Sequence, residues 1–349
     1  MRISNVYIAG LILMCCIIRP QQLLANAAQP GVWNAGGTVF TMLYPEDSLS
    51  FRKVQMQQEA IYIQLYKGFA VVKGTYQFKN TSTEKLQFKM GYPINGIYNG
   101  GANELNQVQL EGLNRFRVKI GEQWLPMLQQ SHEAYSNFTS FGNNWLVWEM
   151  SFMPVKTQTV EVYFIVNTNN AVVRQGYRTA KRNAFIYLLE SGSVWRQPIE
   201  KGDFYIQLMD ELTVADMKGL SAGFNMRFND THKLLYGNKT WFSPTPTDNL
   251  IITYADRIEN FSFEERISAD EQLFSKVNQL SSLPFQNLKY KAIVTADPFE
   301  VKASFWDSFI EGLVYFVFAA PYIIIVLLVL IGIWVYYKWK KVSKKINKQ

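Results

Sequence analysis

Cysteine is scarce in this sequence. Of 349 residues only Cys15 and Cys16 are cysteines, and they stand side by side near the start. The long remainder has no thiol with which to make a disulfide, hold a zinc ion or attack a carbonyl. Histidine is almost as rare, with His132 and His232 the two present. A Ser-His-Asp triad would need one of them as its base, and metal sites of the His/Cys type lack ligands. Both read as surface loop histidines, and no catalytic residue, metal or cofactor is assigned. Long apolar runs are missing except at the two ends of the chain. Acidic residues stop at Glu311, so everything after it is neutral or basic.

Both apolar ends point to a membrane. Arg2, an apolar stretch over 6–18 and the small residues Ala25, Asn26 and Ala27 follow the order of a signal peptide, predicted over 1–27 with cleavage after Ala27. The apolar stretch is shorter than the roughly 20 residues a bilayer crossing needs. Met14 stands before Cys15 where a lipidation signal wants a small residue. At the other end, 313–334 contains no charged residue and is rich in Val, Ile and Leu. This predicts a transmembrane helix, with its flanks over 309–337. Trp306 and Tyr315 lie at one end of it and Trp334, Tyr336, Tyr337 and Trp339 at the other, as interfacial aromatic belts do. Pro321 is tolerated in such a helix.

Beyond it, Lys338, Lys340, Lys341, Lys344, Lys345 and Lys348 have no acidic neighbour. The positive-inside rule places this 338–349 tail in the cytoplasm and the N-terminal domain outside, in a single-pass cell-membrane protein. The formal charge of +7, from 35 basic and 28 acidic residues, then has a topological origin. Setting aside the tail lysines with Arg2 and Arg19 leaves an almost neutral ectodomain, so nucleic acid is not an expected partner. A domain this long can bury enough apolar surface without covalent staples. That suits a bacterial envelope better than the disulfide-dense modules of animal cell surfaces.

The ectodomain alternates with period two. Ile61, Ile63 and Leu65 share one parity, Tyr76 and Phe78 continue the pattern, and Phe116, Val118 and Ile120 repeat it before Gly121. Similar stretches fall in 145–152, 160–166, 184–189, 204–208 and 250–254. Short strands separated by Gly, Asn and Pro predict a mainly β fold of one or two β-sandwich-like units. A polar run at 167–170 suggests a first β-rich unit over 28–170 and a second over 171–260. The period then changes: Leu273, Phe274, Val277 and Leu280 fall at helical spacing, and Ser268 with Glu271 forms a capping-box pattern. A short amphipathic helix ending near Pro284, followed by a stalk to the membrane, is expected over 261–308.

Two strand texts go further. Tyr76-Gln77-Phe78-Lys79-Asn80 is followed by Gly91-Tyr92-Pro93, and the run from Tyr187 through Gly192-Ser193-Val194-Trp195 by Pro198-Ile199. This pattern resembles a family of uncharacterised exported bacterial proteins, β-rich and membrane-anchored, with a Tyr-x-Phe-x-Asn strand, a Tyr-Pro turn and a Gly-Ser-x-Trp segment. The resemblance covers most of the ectodomain and implies structural motifs, with no catalytic residue carried over. Trp195 is expected to pack into a core.

One loop stands out. Residues 91–106 hold four glycines and four asparagines around Tyr92 and Tyr98. Glycines permit close backbone approach, amides offer paired donors and acceptors, and tyrosines offer flat faces. Tyr98, Asn99 and Asn103 are the candidate ligand-binding residues. Two functions fit: a binding or scaffolding module of the envelope with a protein or glycan partner, and a membrane-tethered hydrolase using paired carboxylates. Glu149 with Glu161, or Glu190 with Glu200, would serve the second. Their spacing has no recognisable signature, and the first function is preferred.

Overall fold

The computed structural model describes residues 31–33, 36–38, 41–42, 52–93, 115–126, 145–175, 178–302 and 305–346. The expected signal peptide lies outside them. Strands β1 (Gly31–Trp33), β2 (Gly36–Thr38) and β3 (Thr41–Met42) come first. The ribbon of β4 (Val54–Tyr66) and β5 (Phe69–Asn80) follows, then β6 (Leu86–Pro93), β7 (Arg117–Ile120), β8 (Gln123–Trp124), β9 (Trp145–Phe152) and β10 (Thr157–Asn167). After them come β11 (Ala171–Gln175), β12 (Arg178–Tyr187), β13 (Ile199–Leu208), β14 (Met217–Leu220), β15 (Arg227–Asn229), β16 (Leu234–Phe242) and β17 (Leu250–Asp256). Helices α1 (Phe263–Arg266) and α2 (Asp270–Ser281) precede β18 (Lys291–Ala292), and α3 (Phe305–Ile346) closes the described chain.

A mainly β body results. Its spine is a nine-stranded sheet ordered β18-β15-β16-β13-β4-β5-β10-β7-β8. A second sheet runs β1-β11-β12-β17-β14, with β2 alongside β12, and a third holds β3, β6 and β9. Ile61, Ile63, Val72, Tyr76 and Phe78 from the spine share one buried cluster with Phe88, Trp148, Phe185, Tyr187 and Ile252 from the other two sheets. The opposite face buries Phe69, Val71, Tyr163 and Ile165 against Phe263, Ile267, Phe274 and Val277 of the helical segment. Because both faces are covered, the first six residues of β5 are all buried. Lys67 and Gly68 turn β4 into β5. Gly68 has φ of +100°, and a Cβ there would collide with the Phe261 ring.

β4 also explains an irregular pattern. A bulge between Met56 and Gln58 inserts a residue against β5. Val54 and Met56 point inward before it, and Glu59, Ile61 and Ile63 after it, so the inward parity changes within one strand.

Strands from both sides of the expected boundary near 170 interleave. β13 lies parallel to β4 from Lys201 opposite Gln58 to Leu208 opposite Leu65, and Met1–Val301 forms one compact unit. The polar run at 167–170 is the β10–β11 turn. Its asparagines are buried because they are bonded: Asn167 Oδ1 accepts from Asn169 N at 2.9 Å, and Asn169 Nδ2 donates to Ile258 O at 2.8 Å.

The amphipathic helix is present as α2 and buries Leu273, Phe274, Val277 and Leu280. The expected capping box does not form. Ala269 is the N-cap, Ser268 Oγ donates to Glu265 O at 2.8 Å, and the Glu271 carboxylate accepts from Arg117 at 2.6 Å instead. A turn of α1 immediately before captures the serine, and the sheet captures the glutamate. The segment expected as a stalk is also tied down as far as Val301. β18 pairs with β15, Leu220 N donates to Ala296 O at 3.0 Å, Arg182 donates to Glu300 O at 2.8 Å, and Val301 is buried.

The second compact unit is Lys302–Gln349. Its helix α3 continues through Pro321. Within it Gly312–Lys340, 29 residues, is long and apolar enough to cross a membrane. At 1.5 Å per residue it measures about 44 Å, longer than a ~30 Å hydrocarbon core is thick. At its basic end the Lys338 ammonium lies 4.4 Å from the Trp334 ring centre. The expected basic tail continues the helix as far as Ile346.

Candidate functional site

Alternation places Lys73 of β5, Lys119 of β7 and Glu161 and Tyr163 of β10 on the helix-covered face of the spine. Register brings them together, with Tyr163 opposite Lys73 and Arg117, and Glu161 opposite Lys119. Helix α2 crosses this face and lowers Asn278 and Ser281 onto it. Lys73 Nζ donates to Glu161 Oε1 at 2.8 Å, Asn278 Oδ1 at 3.0 Å and Ser281 Oγ at 3.2 Å. All three ammonium protons are used, so a lysine side chain only 9% exposed is left without an unmet donor. The Tyr163 hydroxyl lies 3.0 Å from Glu161 Oε2 and 2.8 Å from Asn278 Oδ1 and donates to one at a time. Burial, then the Glu161 charge, pushes its phenol above the ordinary range, so it stays a donor.

Beside this cluster opens a cleft of about 370 Å³, lined also by Lys119, Glu122, Thr159 and Ser282. Trp124, half-exposed, does not line it but lines a neighbouring hollow with Phe116, Arg117, Val118 and Leu125, and reaches the cleft through its contacts with Tyr163 and Lys119. Its ring meets Tyr163 edge-on at 5.5 Å and carries the Lys119 ammonium at 5.8 Å. A flat indole next to a carboxylate, an amide, hydroxyls and ammonium groups suits a neutral polyhydroxylated ligand. The ring would cover an apolar sugar face while the polar groups would take its hydroxyls.

A second polar cluster lies inside the sandwich. Glu59 is buried between the sheets, and Tyr187 donates to its Oε2 at 3.3 Å. The Tyr76 and Tyr187 hydroxyls are 2.7 Å apart, with Tyr76 donating onward when Tyr187 serves the carboxyl. Among the described residues nothing bonds Glu59 Oε1. Burial, only partly offset by Tyr187, pushes the Glu59 carboxyl up to about 8, so it is protonated at neutral pH. Gly74 leaves the room that the Tyr76 hydroxyl occupies. Sequence reasoning passed over Glu59, although it shares the inward parity of Ile61 and Ile63.

Tyr98, Asn99, Asn103 and His132 lie outside the described residues. His232 sits in the turn after β15, where its N–H donates to Asn229 Oδ1 at 2.9 Å and its carbonyl accepts from Gln207 at 3.3 Å, a structural placement. The paired carboxylates are engaged separately. Glu149, on β9 of the three-stranded sheet, accepts from Gln87 at 2.7 Å, while Glu161 belongs to the Lys73 cluster on the spine. Glu200 accepts from Gln57 at 3.2 Å, whereas at Glu190 only the backbone N–H is engaged, donating to Asn249 at 3.2 Å, and the carboxylate Oε1 is buried without a partner among the described residues. No group of three or more metal-ligating side chains occurs among the described residues. Trp195 is buried against Phe78, 4.7 Å between ring centres, as its core role requires.

The sequence matches no protein-family model, and no curated protein matches it. Among solved structures, a Legionella pneumophila protein provisionally assigned as nutrient-binding aligns over 73% of this chain and 82% of its own, at 12% identity and a TM-score of 0.41. A variant of a two-domain M1 zinc metallopeptidase bound to L-tryptophan aligns over 58% of this chain and 43% of its own, at 10% identity and a TM-score of 0.28. At these scores neither likeness transfers an activity to the chain.

Proposed function

We propose that this is a single-pass envelope protein, exported by its N-terminal signal and held by α3, whose extracytoplasmic β body binds a glycan in the α2 cleft. The motifs it shares in resemblance with exported, membrane-anchored bacterial proteins fit this reading. The observation that carries the ligand is the exposed Trp124 ring, in contact with Tyr163 and Lys119 of a cleft whose lining is hydroxyl, amide, carboxylate and ammonium. A cluster whose charges are already paired presents polar edges without demanding a charged ligand.

The full chain in detergent micelles, titrated with neutral and N-acetylated oligosaccharides, should show saturable binding by calorimetry. Trp124→Ala should weaken it about tenfold or more, the worth of a stacked ring of about 1.4 kcal/mol, with the melting temperature unchanged. Absence of binding to every oligosaccharide, or equal binding by the variant, would remove the cleft as the glycan site. Protease added outside intact cells should remove the body and leave an α3 fragment. Digestion of the lysine tail from outside would reverse the topology.

A further inference from the structure

Exposed apolar side chains are not scattered over the β body. Among the described residues outside α3, the large ones are Trp124, Met153, Val155, Val194, Trp241 and Val294, and four of these six gather at one end. Met153 and Val155, 51% and 61% exposed, form the β9–β10 turn. Val194, 39% exposed, ends the 3-10 turn Leu189–Val194, and Trp241, 70% exposed, stands near the end of β16. Two of them are also held in a conformation that opposes their residue type. Val155 has φ of +56° and Trp241 of +50°, and the other described non-glycine residues with positive φ are polar or alanine. A branched or bulky side chain there costs stability, and such strain persists where the surrounding fold imposes it. Val155 is fixed by its N–H to Ser82 O at 3.1 Å, and Trp241 by the β13 pairs on either side of it, Thr240 with Lys201 and Phe242 with Ile199.

Cations surround these tips. Lys85, Lys156 and Arg196 are exposed and have no acidic partner within ion-pair distance among the described residues, while the nearby Glu84 is neutralised by Lys53 at 3.0 Å. Arg196 is anchored by Nη1 to Thr81 Oγ1 at 2.7 Å and by its backbone N to Val54 O at 2.9 Å. Glu200, half-buried and bonded to Gln57, and Glu190, half-buried in the turn that Val194 ends, are acids in the same region.

This end lies away from where the chain leaves the body. Val301 N donates to Gln175 Oε1 at 3.0 Å beside the β11–β12 turn, beyond the Gly68 end of the spine. The apolar tips flank Val54, Asn80 and Thr157 at the other end. The twelve residues of β5 between the two ends span roughly 36 Å. Across the sheet, Trp241 and Val155 are separated by the strands β13, β4 and β5, roughly 19 Å. Convex tips this far apart do not make the contiguous core of a protein interface. They suit a soft surface that accepts each tip separately, with apolar groups entering the acyl boundary and lysine or arginine at phosphate level.

We propose that this end of the β body docks onto a lipid surface rich in anionic headgroups. The inference is independent of the glycan cleft, and only its test uses the anchored reading of α3. The full chain is placed in phosphatidylcholine nanodiscs through α3 and mixed with separate vesicles containing phosphatidylglycerol. Capture of these vesicles by sedimentation is expected, with little capture of pure phosphatidylcholine vesicles. Lys156→Ala with Arg196→Ala should weaken capture about thirtyfold, because each such cation near an anionic surface is worth about fivefold. Val155→Asn and Trp241→Gly, which fit a positive φ, should also lower capture while raising or preserving the melting temperature.

Capture that is absent, indifferent to phosphatidylglycerol, or unchanged in all these variants overturns the proposal. So does a fall in melting temperature with both Val155→Asn and Trp241→Gly, which would give those side chains a packing role. A chain that failed to enter nanodiscs would overturn only its anchoring. Its own sedimentation with phosphatidylglycerol vesicles would then read the same surface, and the same variants would decide it.

Discussion

The β4–β5 ribbon buries a carboxyl, Glu59, on one face and an ammonium, Lys73, on the other, and the two are partnered in opposite ways. On the outer face Lys73 is buried with a full set of partners: a carboxylate, an amide and a hydroxyl. On the inner face Glu59 is buried with one tyrosine donor at 3.3 Å and a second oxygen without a partner among the described residues. At the outer group three hydrogen bonds, one of them to a carboxylate, offset the cost of burial. The inner group avoids that cost by keeping its proton. The number of partners within reach therefore decides what burial of a polar group costs.

The largest expected effect separates the two faces by pH. Glu59 releases its proton near 4.5 when unfolded and near 8 when folded. The folded state binds more protons between these values, so this contribution is fully present below about 4.5 and is lost as pH rises through about 8. The loss should be on the order of 4 kcal/mol. Chemical unfolding of the full chain in micelles from pH 4 to 9 would read it, and Glu59→Gln should flatten the curve. A wild-type stability that rises across this window would contradict a protonated Glu59.

The outer face should respond to partner removal. Lys73→Ala leaves Glu161 23% exposed and without its cation, and about 3 kcal/mol should be lost. Adding Glu161→Gln should restore part of this. A double variant as unstable as the sum of the two single ones would show that the pair is not coupled.

Smaller changes sharpen the comparison. Tyr163→Phe removes one hydroxyl bond from the outer cluster and should cost about 1 kcal/mol. Ser268→Ala should change stability by less than about 0.5 kcal/mol, because this serine does not cap α2. A loss near 1 kcal/mol, by thermal unfolding, would restore the capping box.

Several of these features could be read from the chain. Period two in 61–65 and 76–78 identified strands because alternation is a local consequence of the pleat. The spacing of Leu273, Phe274, Val277 and Leu280 identified α2 for the same kind of reason. Glu59 was legible as an acid on an apolar parity. The bulge obscured it, since Val54 and Met56 lie on the other parity and the pattern seems to break where it only shifts. The Lys73 cluster was not legible. Its members come from residues 73, 161, 163, 278 and 281, and nothing local in any of these segments names the others. The candidate loop drew attention by composition, a weaker signal than register.

By itself the sequence determined what depends on neighbours along the chain: the β character, one amphipathic helix and the apolar helix at the C-terminal end. Tertiary structure alone decided that β13 lies beside β4 across the expected boundary, that 288–301 binds to the body, and that a carboxyl and an ammonium on one ribbon meet opposite fates. Each of these turns on which distant backbone or side chain arrives within hydrogen-bonding distance. That is set by the closure of long loops around a common core, which no local pattern encodes.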